Sequence, residues 1–255
     1  MDALRARYRN RDVDVLLSDL LGHPVSFVLA HGDLAVDPSP IDAAMRRRLA
    51  GEPLQYIRRK TEFFGRDFYV DDRVLIPRPE TEILVETAID RVERGARVVD
   101  IGTGSGCIAV TLAIERPDLR ITATDASVAA LAVASRNAHG SVSLVASDIL
   151  SAFVRDFDWI VSNPPYIPAA EVETLATEVR DHEPRNALTP GPSGTETIER
   201  ILDQAGRARV ILEIAYGQEN AIRDLAEAHH FAVEEVLPDL AGIPRVIVLS
   251  RHGWK

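Results

Sequence analysis

The spacing of apolar residues divides the chain into a short first region and a longer second one. Apolar residues recur three and four positions apart over residues 13–21, and Gly22 ends the run, which predicts a helix. A second short helix is predicted over residues 39–49, with proline at its first turn. Aromatic residues on both sides of a glycine turn over residues 62–70 are typical of a β-hairpin.

Beyond residue 80, helical patterns alternate with short apolar runs. Helices are predicted over residues 81–94, 127–138, 195–205 and 218–229 and from the glycine-rich stretch to residue 115, and strands over residues 97–101, 120–124, 142–145, 157–161, 209–214, 231–236 and 245–249. This alternation indicates an α/β fold with a seven-stranded, mostly parallel sheet and helices on both faces. The last two strands are predicted to form an antiparallel hairpin, and residues 163–194 are predicted to be irregular.

Composition and charge narrow the functional classes. The 255 residues are 46% apolar and 27% charged, as in globular proteins, and the net charge of −10 argues against broad binding to nucleic acid. The single cysteine, Cys107, and seven histidines without ligand spacing predict no disulfide and no metal, which suits the cytoplasm. No apolar run approaches the ~20 residues of a membrane span, so no membrane association is expected. Nothing demands an oligomer, so a monomer is expected.

A glycine-rich loop follows the first predicted strand of the sheet. It reads Asp100-Ile101-Gly102-Thr103-Gly104-Ser105-Gly106, and glycines let a backbone pass close to a ligand. A dinucleotide-binding loop would have its third glycine at position 107, where Cys107 stands instead, which argues against an NAD-dependent oxidoreductase. The spacing G-x-G-x-G after Asp100 is typical of folds that bind S-adenosylmethionine (SAM). The carboxylate suits the positively charged amino acid moiety of SAM.

Two further aspartates end the next two predicted strands. Asp125 can accept hydrogen bonds from both ribose hydroxyls of a nucleotide. Asp148 can meet the adenine amino group while Ile149 packs on the ring. Each aspartate alone is more often a helix cap or a turn residue. Their joint placement at successive strand ends of one sheet edge favours a SAM site.

The sequence Asn163-Pro164-Pro165-Tyr166 follows the apolar run 159–161. Two prolines cannot continue a sheet ladder, so the strand ends there in a stiff loop. The loop presents a carboxamide, two prolyl carbonyls and an aromatic ring at the edge where ligands bind in open α/β sheets. Taken alone, it also fits a rigid turn that merely ends a strand.

With the glycine loop and the Asn-Pro-Pro-Tyr sequence together, the chain resembles the SAM-dependent amino-methyltransferases. More closely, it resembles the release factor glutamine methyltransferases (the PrmC/HemK family) over residues 51–251. The matching stretches are residues 51–57, 62–70, 75–82, 161–168, 183–188 and 212–218. Asn-Pro-Pro-Tyr alone indicates an amino-group methyltransferase, and its combination with residues 75–82 is much more specific.

The resemblance implies a fold, a cofactor and a substrate. The fold would be the Rossmann-like sheet of class I SAM methyltransferases. SAM would be held by residues 102–106, Asp125, Asp148, Ile149 and Asn163, and would leave as S-adenosylhomocysteine. The substrate would be the glutamine in the Gly-Gly-Gln motif of class I peptide chain release factors, methylated on its side-chain amide nitrogen.

The resemblance also implies a division into three parts. Residues 1–50 would form a small helical substrate-recognition domain, shorter than is usual in the family. Residues 51–79 would be a linker that contains the β-hairpin, and residues 80–255 would form the catalytic domain. A further departure from the family is Ser193, which stands where an aspartate is common.

The four residues of the Asn-Pro-Pro-Tyr sequence receive distinct roles. An amide nitrogen is a poor nucleophile because its lone pair is delocalised, so it needs orientation more than a strong base. The Asn163 side-chain oxygen and the Pro164 carbonyl can each accept one N–H of the target amide. Pro165, with Pro164, keeps the direction of that carbonyl fixed. Tyr166 can pack on the flat amide and lie near the sulfonium.

Other interpretations stay open. The target could be a glutamine on a ribosomal protein, or an exocyclic amine of a nucleic-acid base, which would have to be flipped out of a duplex. The acidic charge and the lack of a DNA-reading domain argue against DNA. The short amino-terminal region and Ser193 also allow a protein that binds SAM but has lost transfer activity.

Overall fold

The amino-terminal part of the chain is helical in the computed structural model, which describes residues 1–154 and 157–253. Its helices are α1 (Asp2–Tyr8), α2 (Asp12–Leu21), α3 (Val25–Ala30), α4 (Ser39–Leu49) and α5 (Leu54–Arg58). Val13, Leu17, Val28 and Met45 are buried together in a core of their own. Gly22 ends α2 in a left-handed conformation with φ of 65°, which glycine adopts without a steric cost. The two helices predicted in this region are confirmed.

The predicted hairpin is also confirmed. Its strands β1 (Thr61–Phe63) and β2 (Arg66–Phe68) pair antiparallel. The rings of Phe63 and Phe68 meet edge to face, with centroids 6.0 Å apart, and both residues are buried in the main core. An extended segment then leads to α6 (Thr81–Arg91), so the hairpin anchors this segment against the large sheet.

Seven strands form the main sheet within the described residues. They are β3 (Arg97–Ile101), β4 (Arg120–Asp125), β5 (Ser143–Ala146), β6 (Trp159–Ser162), β7 (Arg209–Glu213), β8 (Phe231–Pro238) and β9 (Pro244–Arg251). Their spatial order is β5-β4-β3-β6-β7-β9-β8, and β9 runs antiparallel to both of its neighbours. The predicted seven-stranded, mostly parallel sheet with a final antiparallel hairpin is therefore confirmed.

Helices cover both faces of this sheet. In chain order after α6 they are α7 (Cys107–Glu115), α8 (Val128–Ala138), α9 (Thr177–His182), α10 (Arg185–Leu188), α11 (Glu196–Gln204) and α12 (Glu219–Ala228). Trp159 and Ile160 follow each other on β6 and belong to two different apolar clusters. Successive side chains of a strand point to opposite faces, so β6 is a central strand buried on both sides.

The stretch 163–194 differs from the prediction. It contains a 3₁₀ turn (Val172–Thr174) besides α9 and α10, and these helices have only six and four residues. Helices this short have too few turns for an apolar period to register, and α9 has no buried residue. No helix among residues 1–154 and 157–253 is long and apolar enough to cross a membrane.

Candidate active site

The carboxyl ends of β3 and β6 form a crevice at one edge of the sheet. These two strands are parallel neighbours, with Val99 paired to Ile160. From β3 the chain moves outward to β4 and β5, and from β6 it moves the other way to β7. At such a reversal of strand order the loops diverge, which leaves a binding crevice. The glycine loop and the Asn-Pro-Pro-Tyr loop lie on its two sides.

The glycine loop has a backbone that only glycine adopts easily. Gly102, Gly104 and Gly106 have φ of 72°, 54° and 83°. A Cβ on Gly106 would lie 3.2 Å from the Cβ of Ala134 on α8, so the loop also packs tightly against that helix. The loop is tied to β4 by the Thr103 N–H, which donates a 2.8 Å hydrogen bond to the Thr124 carbonyl.

Asp100 lies beneath the glycine loop and is fully buried. The Thr103 hydroxyl donates a 2.6 Å hydrogen bond to Asp100 Oδ2, while Oδ1 has no hydrogen-bond partner in the part of the chain that the structure describes. Burial raises the pKa of this carboxyl to about 7. A buried carboxylate oxygen without a donor is costly, which agrees with the raised pKa of Asp100.

A cavity of about 240 Å³ opens above the loop. Six of the predicted cofactor residues line it: Gly102, Gly104, Asp125, Asp148, Ile149 and Asn163. The other four predicted cofactor residues, Asp100, Thr103, Ser105 and Gly106, do not line the cavity and are buried or half-buried under it. The fold thus separates the predicted set into residues that can touch a ligand and residues that shape the loop.

Asp125 connects two elements of the cavity wall. Its Oδ2 accepts a 2.9 Å hydrogen bond from the Gly104 N–H, and its Oδ1 accepts a 2.8 Å hydrogen bond from the Ser127 N–H. Burial raises the pKa of the carboxyl, and these backbone donors oppose the rise. Each carboxylate oxygen keeps a further lone pair, so Asp125 can still accept hydrogen bonds from hydroxyls.

At the other end of the cavity, Asp148 is exposed and pairs with Arg200 on α11 at 2.6 Å. Ile149, which follows it, has φ of 55°. A β-branched residue in this left-handed region is an outlier, and such strain clusters at ligand sites. The strained backbone turns Ile149 into the cavity lining while the side chain stays 6% exposed.

A second cavity of about 280 Å³ lies on the far side of the Asn-Pro-Pro-Tyr loop. Pro164, Pro165, Tyr166 and Asn163 line it, together with apolar side chains of the segments that precede α6 and follow β6. Asn163 and Pro165 line both cavities. Leu75 and Ala187 are shared as well, so the two cavities adjoin, and the Asn163 carboxamide lies at their boundary.

Hydrogen bonds and close packing from neighbouring segments hold the end of the Asn-Pro-Pro-Tyr loop in place. Gln218 Nε2 donates hydrogen bonds to the Tyr166 carbonyl at 2.9 Å and to the Gly194 carbonyl at 3.2 Å. A Cβ on Gly194 would lie 2.5 Å from the Tyr166 carbonyl oxygen, so only glycine fits there. The Ile167 N–H donates to the Leu188 carbonyl at 3.0 Å. These contacts fix the end of the loop at Tyr166 and Ile167.

One wall of the second cavity depends on a buried glutamate. Glu183 accepts hydrogen bonds from Arg78 at 2.6 Å and from the Ile76 N–H at 3.2 Å. It is 5% exposed; burial raises the pKa of its carboxyl, and Arg78 opposes the rise. This pair connects the segment before α6 to the segment after β6.

Two site residues were not found by the sequence reasoning. Thr81 accepts a 3.0 Å hydrogen bond from Asn163 Nδ2, and Glu213 Oε1 lies 3.5 Å from the Tyr166 hydroxyl. A signal existed for each, because Thr81 lies within the stretch 75–82 and Glu213 is a charged residue that ends an apolar strand. Neither residue has a motif of its own, so only the fold brings them to the loop.

Two family models match the chain. Residues 79–232 match the family described as "Methyltransferase small domain", and residues 3–58 match "PrmC N-terminal domain". The release factor glutamine methyltransferase of Koribacter versatilis is 43% identical over 219 residues, which cover 81% of this chain and 78% of that protein. The protein of the same name from Cereibacter sphaeroides is 42% identical over 269 residues, which cover 96% of each.

Solved structures show the same fold at low sequence identity. A ribosomal protein L11 methylase from Lactobacillus delbrueckii subsp. bulgaricus has a TM-score of 0.52 and 22% identity, covering 70% of this chain and 81% of that one. The Mtq2–Trm112 complex of E. cuniculi, responsible for methylation of the eRF1 translation termination factor, has a TM-score of 0.54 and 20% identity, covering 70% of this chain and 99% of that one.

Proposed function

The chain belongs to the release factor glutamine methyltransferase family, and from this membership we propose which methyl donor and which acceptor it uses. The donor is SAM, and the acceptor is the side-chain amide nitrogen of the glutamine in the Gly-Gly-Gln motif of a class I peptide chain release factor. The observation that carries the proposal is the meeting of the two cavities at Asn163.

The first cavity fits SAM by the chemistry of its donors and acceptors. Asp125 can accept hydrogen bonds from the ribose hydroxyls, and Asp148 and Ile149 can hold the adenine by its amino group and its face. The open backbone at Gly102 and Gly104 leaves room for the methionine moiety, and the unpartnered Oδ1 of Asp100 supplies negative charge beneath it. When bound, SAM supplies an electrophilic methyl group on a sulfonium.

The second cavity fits a glutamine side chain. In the proposed complex, Asn163 Oδ1 and the Pro164 carbonyl each accept one N–H of the target amide, which fixes the direction of its nitrogen. Oriented reactants can gain about 7–11 kcal/mol over a bimolecular encounter. Tyr166 lies against the flat amide, and burial raises the pKa of its phenol to about 12, so it stays neutral. Pro165 keeps the loop rigid between the two ligands.

Apolar side chains close the second cavity around its contents. They are Leu75, Ile167, Leu175, Val179, Ala187 and Leu188. A dry wall strengthens each hydrogen bond to the amide, because fewer water molecules compete for it. It also keeps water away from the methyl group that is being transferred.

The protein partner is proposed to dock through the amino-terminal helices. The division that we propose is residues 1–50 for docking, residues 51–79 as a linker and residues 80–255 for catalysis, of which 155, 156, 254 and 255 lie outside the described residues. Arg48 on α4 pairs with Glu178 on α9 at 2.7 Å, and Val179, the next residue, lines the second cavity. This salt bridge therefore joins the amino-terminal helices to α9, which contributes a side chain to the second cavity. A release factor substrate would place the reaction in the cytoplasm.

The test is transfer of label from methyl-labelled SAM to purified protein substrates. We expect label in a class I release factor and none in its variant with alanine in place of the motif glutamine. Label in both would mean another acceptor residue. Label in neither, with SAM still bound, would favour a different substrate or a protein that binds SAM without transfer.

A further inference from the structure

The carboxamide of Asn163 can work only in one of its two orientations. Its oxygen and nitrogen have nearly the same size, so hydrogen-bond partners alone decide which of them faces the second cavity. In the structure, Nδ2 donates to Thr81 Oγ1 at 3.0 Å. This leaves Oδ1 as the atom that is free to accept an N–H from a bound molecule.

The orientation of Asn163 depends on the direction in which the Thr81 hydroxyl donates its proton. It is 2% exposed and begins α6, and its hydroxyl has one proton to donate. A hydroxyl that accepts from Asn163 must direct its own proton to another acceptor. The buried carboxylate of Glu213 can take this proton, because its Oε2 has no hydrogen-bond partner in the described ranges and Thr81 lowers the pKa of Glu213 against the rise that burial causes.

Glu213 ends β7 and has no role in the reaction described above. It is 2% exposed, its Oε1 lies 3.5 Å from the Tyr166 hydroxyl, and its Oε2 has no hydrogen-bond partner in the described ranges. An ionised carboxylate accepts hydrogen bonds and donates none. Because ionised Glu213 can only accept, the hydroxyl groups beside it must donate toward it, and this fixes the direction of the hydrogen bonds that follow.

We propose that Glu213 and Thr81 are positioning residues, which turn the Asn163 carboxamide so that Oδ1 faces the target nitrogen. Glu213 accepts from Thr81, and Thr81 in turn accepts from Asn163 Nδ2. Glu213 also accepts from Tyr166, so the same carboxylate orients both side chains of the catalytic loop. The identity of the target nitrogen rests on the proposed function, whereas the orientation of Asn163 does not.

The relay depends on the charge of Glu213. Burial raises the pKa of Glu213 to about 7; Thr81 and Tyr166 lower it by hydrogen bonding, Glu80 raises it and Arg245 lowers it. Burial is the main cause that raises the pKa of the Cys107 thiol, and the charge of Glu213 contributes to the rise. A protonated Glu213 can donate to Thr81, and the Thr81 proton can then point at Asn163 Oδ1. The Asn163 carboxamide would then flip and direct Nδ2 instead of Oδ1 at the target nitrogen. Transfer should therefore fall as the pH drops through about 7.

Steady-state transfer to a release factor between pH 6 and pH 9 tests the relay by activity. Glu213→Gln and Thr81→Val should lower kcat roughly 10- to 100-fold, because the acceptor atom is misplaced, and leave the KM for SAM unchanged. Thr81→Ser keeps the hydroxyl and should restore most of the activity. The inflection near pH 7 should disappear in Glu213→Gln. Unchanged kcat and an unchanged inflection in Glu213→Gln would overturn the proposal.

Glu80→Gln is the matched control. It removes a carboxylate that raises the pKa of Glu213 but does not belong to the relay. We expect the same kcat at high pH as in the unchanged protein, and an inflection at lower pH. An inflection that stays in place would show that another group titrates and would overturn the assignment to Glu213.

A second readout needs no protein substrate. The side-chain NH₂ resonances of ¹⁵N-labelled Asn163, identified by their loss in Asn163→Ala, report the hydrogen bond that Nδ2 donates. They should shift as the pH crosses about 7, and they should not do so in Glu213→Gln or Thr81→Val. If release factor is not methylated but these shifts occur, the proposed function fails and the relay stands. Resonances indifferent to pH and to both substitutions would overturn the relay.

Discussion

The carboxylate of Asp125 accepts a 2.9 Å hydrogen bond from the Gly104 N–H, so the residue that ends β4 also closes the loop after β3. Asp125 thus has a structural contact and a place in the lining of the first cavity at the same time. Loss of this side chain should affect the loop and the ligand together.

Asp125→Ala should weaken SAM binding strongly. Hydrogen bonds to a charged group are worth about 1.5–3 kcal/mol, which corresponds to roughly 10- to 150-fold in Kd. Isothermal titration calorimetry with SAM measures this. Asp118→Ala is the control, because Asp118 pairs with Arg116 at 2.8 Å just before β4 begins, at the opposite edge of the sheet. Equal affinities of the two variants would contradict a role for Asp125 in the cofactor site.

Gly194→Ala should reduce transfer while SAM binding persists. A Cβ would lie 2.5 Å from the Tyr166 carbonyl oxygen, and this backbone atom can give way only if the Asn-Pro-Pro-Tyr loop moves. Gly242→Ala is a matched control, since Gly242 has φ of 79°, close to the 80° of Gly194, but no atom within 4 Å of the added Cβ. Both variants should lose about 1 kcal/mol of stability from backbone strain. A similar loss of kcat in both would attribute the effect to strain and not to the loop.

The stability of the protein should depend on pH through Glu213. Its carboxyl has a pKa of about 7 in the folded protein, above the roughly 4.3 of an unfolded glutamate. Ionisation therefore opposes folding: the contribution of Glu213 is fully present below about pH 4 and is lost as the pH rises through about 7. The loss amounts to roughly 4 kcal/mol.

Glu213→Gln removes this dependence and keeps the shape of the side chain. Urea unfolding at pH 5 and pH 8.5 should find the variant gaining stability relative to the unchanged protein as the pH rises. Asp100, whose pKa is also raised to about 7, is present in both proteins and cancels in the difference. A difference in unfolding free energy that is constant across this range would mean that Glu213 does not titrate there.

Much of the fold could be predicted because its signals are local. Strand β3 and helix α4 have the predicted bounds, since Gly102 directly follows the apolar run of the strand and Pro40 lies in the first turn of the helix. The short α9 and α10 could not be predicted, because six and four residues are too few for an apolar period to register. The hydrogen bond from Arg78 to Glu183 spans 105 positions, which no local pattern encodes.

In the candidate site, too, residues with a local sequence signal could be predicted, and residues placed by long-range contacts could not. The glycine loop and Asn163 were predictable from compact motifs at strand ends, where an open α/β sheet brings its loops together. Thr81 was not, because it is 82 positions from Asn163 and its role follows only from the packing of α6 against β7. The cavity-lining residues Gly102, Gly104 and Asn163 thus lie in compact motifs, whereas the contact of Thr81 with Asn163 depends on the fold.

Asn163→Ala shows whether two bound molecules meet at the Asn163 carboxamide. Single-turnover transfer to a class I release factor and calorimetric titration with SAM are measured on the same preparation. We expect transfer to fall by roughly 100-fold or more, because the target nitrogen loses its orientation, while the Kd for SAM stays within about tenfold. Transfer at the rate of the unchanged protein would mean that Asn163 does not orient the acceptor.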